Sequence, residues 1–268
     1  MGRDLIEVFV RSGRYALLCP LLFLIPVAVE MVQHAVEIRA GMYVDMAGMR
    51  AAESDLLRLA IGHVKVIALF LTGYWAARFL VFGDDPVAAR RIDPVAVRLF
   101  VPVMAWSLFW LILVQDGPLI ADAARIEGNV AAAVLILSLI VSLLFEPLLS
   151  AWKTAAAAGN PGIGFVRSIR LTRGIYPYAV IVSLLAMLPL MVAHYALALV
   201  AVGKAPAVVW AMMALDSLLV GYLGVVMVAA AFVVARRAGV RAGVGLDAPA
   251  VARSAHSPSI KVGSSPSC

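Results

Sequence analysis

Six long apolar segments, separated by short stretches that carry most of the charges, constrain the fold of this chain more than any other feature. A helix of about 20 apolar residues crosses the ~30 Å hydrocarbon core of a bilayer. The chain has 268 residues, of which 63% are hydrophobic and 14% are charged; charged residues make up about 25% of a typical soluble domain. The sequence therefore predicts an all-α polytopic membrane protein. The predicted spans are residues 15–35, 60–82, 97–115, 129–151, 175–202 and 207–235.

Lysine and arginine are distributed unequally between the two sides that six spans create. Sixteen lie on the side of both termini, five lie on the other side, and Lys65 falls within the second span. Loops that remain in the cytoplasm carry the excess of Lys and Arg, so both termini are predicted to be cytoplasmic. The net charge of +6 then reflects topology and attraction to anionic lipid headgroups, and no nucleic-acid partner is predicted.

The chain divides into three regions by composition. Residues 1–14 mix apolar and charged side chains and are predicted to form an interfacial helix before the six-span domain of residues 15–237. Residues 238–268 are rich in Gly, Ala, Ser and Pro and are predicted to be a disordered cytoplasmic tail. The longest loop, residues 36–58, is predicted to contain an amphipathic surface helix. Its apolar stripe is Met42, Met46 and Met49.

A basic octapeptide precedes the fifth apolar segment and is followed by Tyr176. It reads Arg167, Ser168, Ile169, Arg170, Leu171, Thr172, Arg173 and Gly174. Residues 160–190 resemble the membrane domain that accompanies some glycerophosphoryl diester phosphodiesterases, and the related stand-alone six-helix bacterial inner-membrane proteins. In that motif an aromatic residue stands where this chain has Ile169. The resemblance implies an all-helical bacterial inner-membrane protein. It does not imply phosphodiesterase activity, because in that family this chemistry belongs to a separate soluble barrel domain.

Arginines of the predicted cytoplasmic side are candidate contacts for a lipid phosphate, because guanidinium groups bind phosphate oxygens with two parallel hydrogen bonds. The candidates are Arg78, Arg98, Arg167, Arg170 and Arg173. The alternative interpretation is that these arginines only set the orientation of the helices and that one of them neutralises Glu146.

Ionisable side chains inside the spans form a second candidate site, because such groups are costly in a bilayer. Glu30, Lys65, His194 and Asp216 all fall in the outer half of their predicted helices, near His34 and His63. A shared cavity open to solvent would favour proton- or cation-coupled transport. The alternative is pairing within the bundle, as Glu30 with His194 or Lys65 with Asp216.

No catalytic, nucleotide-binding or metal-binding sequence motif was found, so the chain is predicted to have no cofactor and no metal site. The favoured hypothesis is a non-enzymatic protein of the bacterial inner membrane that binds or moves a lipid or small solute, or assists envelope homeostasis. The alternatives are an accessory or scaffold subunit that docks another protein, and an enzyme embedded in the membrane that acts on lipids.

Overall fold

The computed structural model describes residues 1–52, 55–126 and 128–247. These residues form α-helices joined by short turns, and no strand occurs among them. The helices are α1 (Gly2–Leu18), α2 (Pro20–Arg39), α3 (Met46–Ala52), α4 (Leu56–Val81), α5 (Pro86–Arg90), α6 (Pro94–Gln115), α7 (Gly117–Ala123), α8 (Gly128–Phe145), α9 (Ser150–Ala157), α10 (Phe165–Thr172), α11 (Tyr176–Ala201) and α12 (Pro206–Ala242).

Six helical segments of the described chain are long and apolar enough to cross a membrane. Four are the single helices α2, α4, α6 and α12. The other two continue through 3₁₀ turns, from α8 into α9 and from α10 into α11. The predicted all-α bundle of six membrane helices is confirmed, and the protein is a multi-pass membrane protein. Because six spans alternate in direction, both termini lie at one end of the bundle, here called the basic end.

The first span begins later than the sequence analysis predicted. α1 ends at Leu18 and α2 begins at Pro20, whereas the predicted span covered residues 15–35. The intervening Cys19 leaves helical geometry, with φ −126° and ψ 52°. Proline has no backbone N–H to donate to the preceding turn but is well suited to the first turn of a new helix. Apolar content alone therefore did not reveal where one helix stops and the next begins.

Aspartate caps and prolines set the start of three other helices. The side chains of Asp55 and Asp93 accept hydrogen bonds from backbone N–H groups in the first turns of α4 and α6. Asp85 caps α5 in the same way, and Pro86 and Pro94 follow their caps directly. Such caps satisfy donors that have no partner within the helix.

The last helix, α12, occupies the centre of the bundle and packs against α1, α2, α4, α9 and α11. Small residues allow this close approach: a Cβ at Gly221 would lie 2.5 Å from Cγ2 of Val27 on α2. Val225, Val226 and Ala229 are almost completely buried in the largest apolar cluster. Small residues at helix contacts are typical of membrane bundles, where close packing replaces the hydrophobic effect.

The two terminal regions extend the helical bundle. α1 packs on α12 through buried Val8, Ser12 and Tyr15. α12 continues to Ala242, five residues into the predicted tail of residues 238–268, and Asn160 Nδ2 donates to carbonyl oxygens of the following segment. Residues 248–268 of that predicted tail lie outside the described residues.

The loop between α2 and α4 contains the predicted short helix, α3, but its methionines do not form a single exposed stripe. Met42 and Met49 are buried against Ala201 and Met213, while Met46 is half exposed. The prediction of an apolar stripe on the membrane surface is therefore wrong for two of the three methionines, which pack inside the protein. The loop closes over the end of the bundle opposite the termini.

Candidate functional site

A buried group of charged side chains lies at the end of the bundle opposite the termini. We call it the carboxylate network. It is contributed by α2, α4, α11, α12 and the loop after α2. Its members are Glu30, Gln33, His34, Glu37, Tyr43, Arg58, Lys65, His194 and Asp216. The three carboxylates are at most 2% exposed.

Glu37 is the most heavily hydrogen-bonded member of the network. Its carboxylate accepts from Gln33 Nε2 at 2.9 Å, from Tyr43 Oη at 2.9 Å and from Arg58 Nε at 2.9 Å. His34 Nδ1 lies 2.8 Å from the same carboxylate. Burial, reinforced by the negative charge of Glu37, raises the pKa of Tyr43, so this hydroxyl remains a donor. A buried carboxylate is tolerated when its acceptor positions are filled in this way.

The other two carboxylates each face a cation or an imidazole. Lys65 Nζ lies 3.0 Å from Glu30 Oε2. Asp216 contacts two histidines, His194 Nδ1 at 2.8 Å and His34 Nε2 at 3.0 Å. His34 therefore joins α2 to α12 by placing one ring nitrogen against Glu37 and the other against Asp216.

The structure brings together the four predicted polar residues but pairs them differently from the expectation. Lys65 pairs with Glu30 and His194 pairs with Asp216, the reverse of the pairings expected from sequence. The expected pairs were based on similar depth in the membrane. Which side chains meet depends instead on the register and rotation of the helices. Glu37 was not among the predicted residues of this site. The signal was present in the sequence, because Glu30, His34 and Glu37 repeat at intervals of four and three residues, which places them on one helix face.

A separate ionisable pair lies at the same end of the bundle. His63 Nε2 is 2.8 Å from Asp116 Oδ2, and Gln115 Nε2 is 3.2 Å from His63 Nδ1. These residues link α4 to the end of α6, and within the described chain they form no hydrogen bond with the carboxylate network. His63 therefore provides a natural comparison for His34.

A cavity of about 450 Å³ lies within the membrane-spanning region, lined by α4, α6, α8, α11 and α12 and the start of α9. Its wall is mainly apolar, with Phe70, Met104, Met187 and Met227 among the contributors. Gly224 also lines it, where a Cβ would lie 2.6 Å from Leu69 Cδ2. The cavity volume is within the range of about 300–1,000 Å³ that small-molecule sites usually have.

One part of the cavity wall carries an ion pair. Glu146 forms a salt bridge with Lys153, and the Trp106 indole N–H donates to the Glu146 carboxylate at 2.8 Å. The expectation that an arginine neutralises Glu146 is therefore wrong, because Lys153, seven residues along the chain, reaches it across the 3₁₀ turn Glu146–Leu149. The pair gives the mainly apolar chamber a charged side near the basic end.

The helix α8 is the least enclosed wall of the cavity. No α8 residue whose side chain is described is buried. The helix packs mainly on α6, α7 and the 3₁₀ turn that follows it. Ser142 and Leu143 of α8 line the cavity, as do Ser183 and Leu184 of α11. The cavity is thus separated from the surrounding membrane by one loosely packed helix on this side.

Three arginines surround a smaller cavity of about 250 Å³ at the basic end, which we call the arginine cleft. It is lined by Arg170, Arg173 and Arg241 with Gly174. A Cβ at residue 174 would collide with the Arg241 guanidinium in its present position, so a larger residue there would displace this side chain from the cleft. Within the described chain, none of these three arginines has a carboxylate partner.

The five predicted phosphate contacts lie in different environments. Arg170 and Arg173 line the arginine cleft, Arg167 donates to the Gly162 carbonyl at 2.6 Å, and Arg98 is exposed at the start of α6. Arg78 differs from the prediction. It is 3% exposed and donates to the carbonyl oxygens of residues 88 and 157, so it joins helices and is poorly placed for a lipid.

Arg241 was not among the predicted contacts, because it was assigned to the tail beyond the last span. One signal was available in the sequence. Arg241 follows Arg237 by four residues, so both arginines lie on one face if the last helix continues past the predicted span. α12 is helical as far as Ala242, and this extension carries Arg241 to the cleft.

No protein-family model, curated protein or solved structure matches this chain. The resemblance of residues 160–190 to a phosphodiesterase-associated membrane domain therefore stays a prediction. The class of protein that the fold defines is a six-span helical membrane protein.

Proposed function

We propose that this protein binds a membrane lipid with an anionic headgroup and accommodates the hydrocarbon chain in the cavity within the membrane. The cavity of about 450 Å³ is the observation that carries the proposal. Its wall is built mainly from apolar side chains of helices long enough to span a bilayer. A chamber of this size and lining at membrane depth favours a hydrocarbon chain over a polar solute.

Access from the bilayer supports a lipid as the occupant. α8 exposes most of its described side chains and leaves only a lightly packed boundary beside α11. A lipid chain that enters between these two helices stays in hydrocarbon throughout. It therefore avoids the free-energy cost of passing the charged groups at an end of the bundle.

The distribution of basic residues supports an anionic headgroup. The arginine cleft lies at the basic end, and its three guanidinium groups have no carboxylate partner in the described chain. Arginine binds phosphate with parallel hydrogen bonds, and each basic residue near an anionic surface contributes about 1 kcal/mol. The cleft thus offers a site for the headgroup at the basic end of the bundle. The Glu146–Lys153 ion pair in the cavity wall lies near the same end.

The carboxylate network supports this proposal over solute transport. Its carboxylates are enclosed by counterions and donors, and neither the cavity within the membrane nor the arginine cleft is lined by them. Ion-coupled transport requires such groups to face a wet passage. A scaffold role and a lipid enzyme remain alternatives, and no site geometry in the described chain favours either.

We also propose that the chain lies in a bacterial inner membrane with both termini in the cytoplasm. The excess of Lys and Arg on the terminal side supports this orientation. The resemblance of residues 160–190 to bacterial inner-membrane proteins supports the location.

Photo-crosslinking in lipid nanodiscs would test the proposal. We expect phosphatidylglycerol with a diazirine in one acyl chain to label cavity residues such as Met104, Met187 and Met227. Ser183→Trp fills the cavity and should lower this labelling several-fold. Leu185→Trp, on the exposed face of the same helix, should leave it unchanged.

Two outcomes would contradict lipid binding in the cavity. The first is labelling confined to outward-facing residues. The second is equal labelling of the cavity residues in the Ser183→Trp and Leu185→Trp proteins. A matched phosphatidylcholine probe shows whether the negative headgroup matters, since the proposal expects weaker labelling by that zwitterionic lipid.

A further inference from the structure

The imidazole of His34 lies at the centre of the carboxylate network with both ring nitrogens close to carboxylate oxygens. Nδ1 is 2.8 Å from Glu37 Oε2, and Nε2 is 3.0 Å from Asp216 Oδ2 and 3.5 Å from Glu30 Oε1. A neutral imidazole has one N–H donor and one lone pair. If Nδ1 donates to Glu37, the Nε2 lone pair faces two anionic oxygens, and this arrangement requires a positive charge between them.

The three atoms that face one another have the spacing of metal ligands. His34 Nε2, one Glu30 oxygen and one Asp216 oxygen all lie within 4.8 Å of one another. With zinc bonds of roughly 2.0–2.2 Å, ligand atoms around a tetrahedral ion are about 3.3–3.6 Å apart. The two separations from Nε2, 3.0 and 3.5 Å, are close to that value. Small side-chain rotations would suffice to place an ion between the three atoms.

The surroundings of His34 match those of a metal-binding histidine. Such histidines usually donate the remote ring N–H to a carboxylate, which fixes the tautomer and orients the ring. Glu37 occupies this position, and Tyr43 and Arg58 hold its carboxylate by hydrogen bonds of 2.9 Å. His194 Nδ1 lies 2.8 Å from Asp216 and orients that carboxylate in a similar way.

The charge balance of the network leaves a place for one more positive charge, which either a proton on His34 or a bound metal ion can supply. The three carboxylates of Glu30, Glu37 and Asp216 face only two permanent cations, Arg58 and Lys65. With both histidines neutral, the buried network carries a net negative charge. Glu30 Oε2 accepts no hydrogen bond of acceptable geometry, although Lys65 Nζ lies 3.0 Å away. Buried charge without compensation is costly, and a metal ion can supply the missing positive charge.

We propose that Glu30, His34 and Asp216 form a binding site for a divalent transition-metal ion, with Zn²⁺ as the best match to one imidazole and two carboxylates. The site supplies three protein ligands from α2 and α12, and Glu37 and His194 position two of them. Imidazole and carboxylate ligands suit Zn²⁺ and other first-row divalent ions. The site is separate from the lipid cavity, and the proposal does not depend on lipid binding.

Zinc titration of the purified full-length chain in detergent would test this site. The probe is Zn²⁺ alone, followed by competition with a chromophoric chelator and by elemental analysis after gel filtration. All proteins would carry His256→Gln and Cys268→Ser, because those side chains can also ligate zinc. We expect one bound zinc per chain. We also expect the isosteric variant Asp216→Asn to lower the affinity at least tenfold.

Matched variants separate metal binding from a general effect of histidine loss. Glu37→Gln removes the carboxylate that orients His34 and should weaken zinc binding by about 10- to 100-fold. His63→Gln changes a histidine that also faces a carboxylate at the same end of the bundle and should leave zinc binding unchanged. Circular dichroism and gel filtration confirm that each variant is folded.

A proton on His34 Nε2 is the competing occupant. If the unsubstituted site binds no zinc at micromolar concentrations, the proposal is overturned, and this result depends on no variant. Equal zinc binding by the parent and by Asp216→Asn would overturn it as well. Loss of zinc in His63→Gln but not in Asp216→Asn would place the ion at the other histidine and would also contradict the proposal.

Discussion

The carboxylate network and the arginine cleft both concentrate charge, but they hold it in different ways. In the network, every carboxylate is buried and lies against a cation, a histidine or several donors. In the cleft, three arginines of one sign surround a small cavity, and none has a carboxylate partner in the described chain. In the network the charges are enclosed by polar partners within the protein, whereas the cleft has charge available for an external ligand.

The physical environment explains this difference. Charges taken out of water lose several kcal/mol of solvation each, so they persist only where partners replace the water. The three arginines of the cleft are exposed, and solvent or lipid headgroups can solvate their guanidinium groups. We therefore expect substitutions in the network to change stability and substitutions in the cleft to change binding.

The largest expected effect is the loss of Glu37. Glu37→Leu removes the acceptor of Gln33, Tyr43 and Arg58 and leaves these donors and His34 without their partner. We expect the free energy of unfolding to fall by about 3–5 kcal/mol. Denaturation in mixed detergent micelles, followed by circular dichroism, measures this change.

Asp45→Leu is a matched control in the loop that follows. Asp45 is exposed, and its carboxylate accepts one hydrogen bond, from Gly48 N at 2.7 Å. Its loss should cost no more than about 1 kcal/mol, as for a helix cap. If Asp45→Leu and Glu37→Leu lower the free energy of unfolding by similar amounts, the buried hydrogen bonds and charge of Glu37 contribute no more to stability than an exposed cap.

A double substitution tests whether the buried ion pair of Lys65 and Glu30 stabilises the fold, or whether the attraction between the two charges only offsets the cost of burying them. Lys65→Met alone leaves Glu30 buried without its cation. Lys65→Met with Glu30→Met removes both charges, and we expect the double variant to be about 1–3 kcal/mol more stable than Lys65→Met. Denaturation in mixed detergent micelles, followed by circular dichroism, compares the two variants. A double variant that is less stable than Lys65→Met would mean that Glu30 contributes through other partners.

In the arginine cleft the expected change concerns affinity. Arg173→Gln or Arg241→Gln should weaken binding to phosphatidylglycerol vesicles about fivefold, which corresponds to ~1 kcal/mol for one basic residue. Unfolding free energy should change by less than about 0.5 kcal/mol. Arg98→Gln, an exposed arginine outside the cleft, is the control and should change affinity less. Equal losses for all three variants would show that only the overall charge matters.

The smallest expected effect concerns the ion pair that docks α1. Arg236 donates two hydrogen bonds of 2.6 Å to Glu7 and thereby lowers the pKa of that carboxyl below its ordinary value of 4.5. A lowered pKa in the folded state means that the pair stabilises the fold above pH 4.5. This contribution is lost as the pH falls through the lower, folded-state pKa.

Comparison of the parent protein with Glu7→Gln would measure this contribution across pH. Because both side chains are partly exposed, we expect a difference of about 1 kcal/mol or less at pH 7. The difference should shrink below pH 4.5. A constant difference down to pH 3 would mean that Glu7 contributes through packing and not through its charge.

The sequence by itself determined the class of fold and the residues that needed explanation. Long apolar segments can be stable in a bilayer only as helices, because the hydrocarbon offers no partner for backbone N–H and C=O groups. Six spans and the unusual position of Glu30, Lys65, His194 and Asp216 could therefore be predicted from hydropathy alone. The basic residues Arg170 and Arg173 were identified from their place ahead of a span.

Only the tertiary structure decided which of these groups meet. The rotation of α2 against α12 places His34 between Glu37 and Asp216, and no local pattern fixes that rotation. Burial of Arg78 and the helical extension that carries Arg241 to the cleft likewise depend on neighbouring helices. Hydropathy is a property of each segment, whereas partners, cavities and ligand geometry arise from the packing of segments that are distant in the chain.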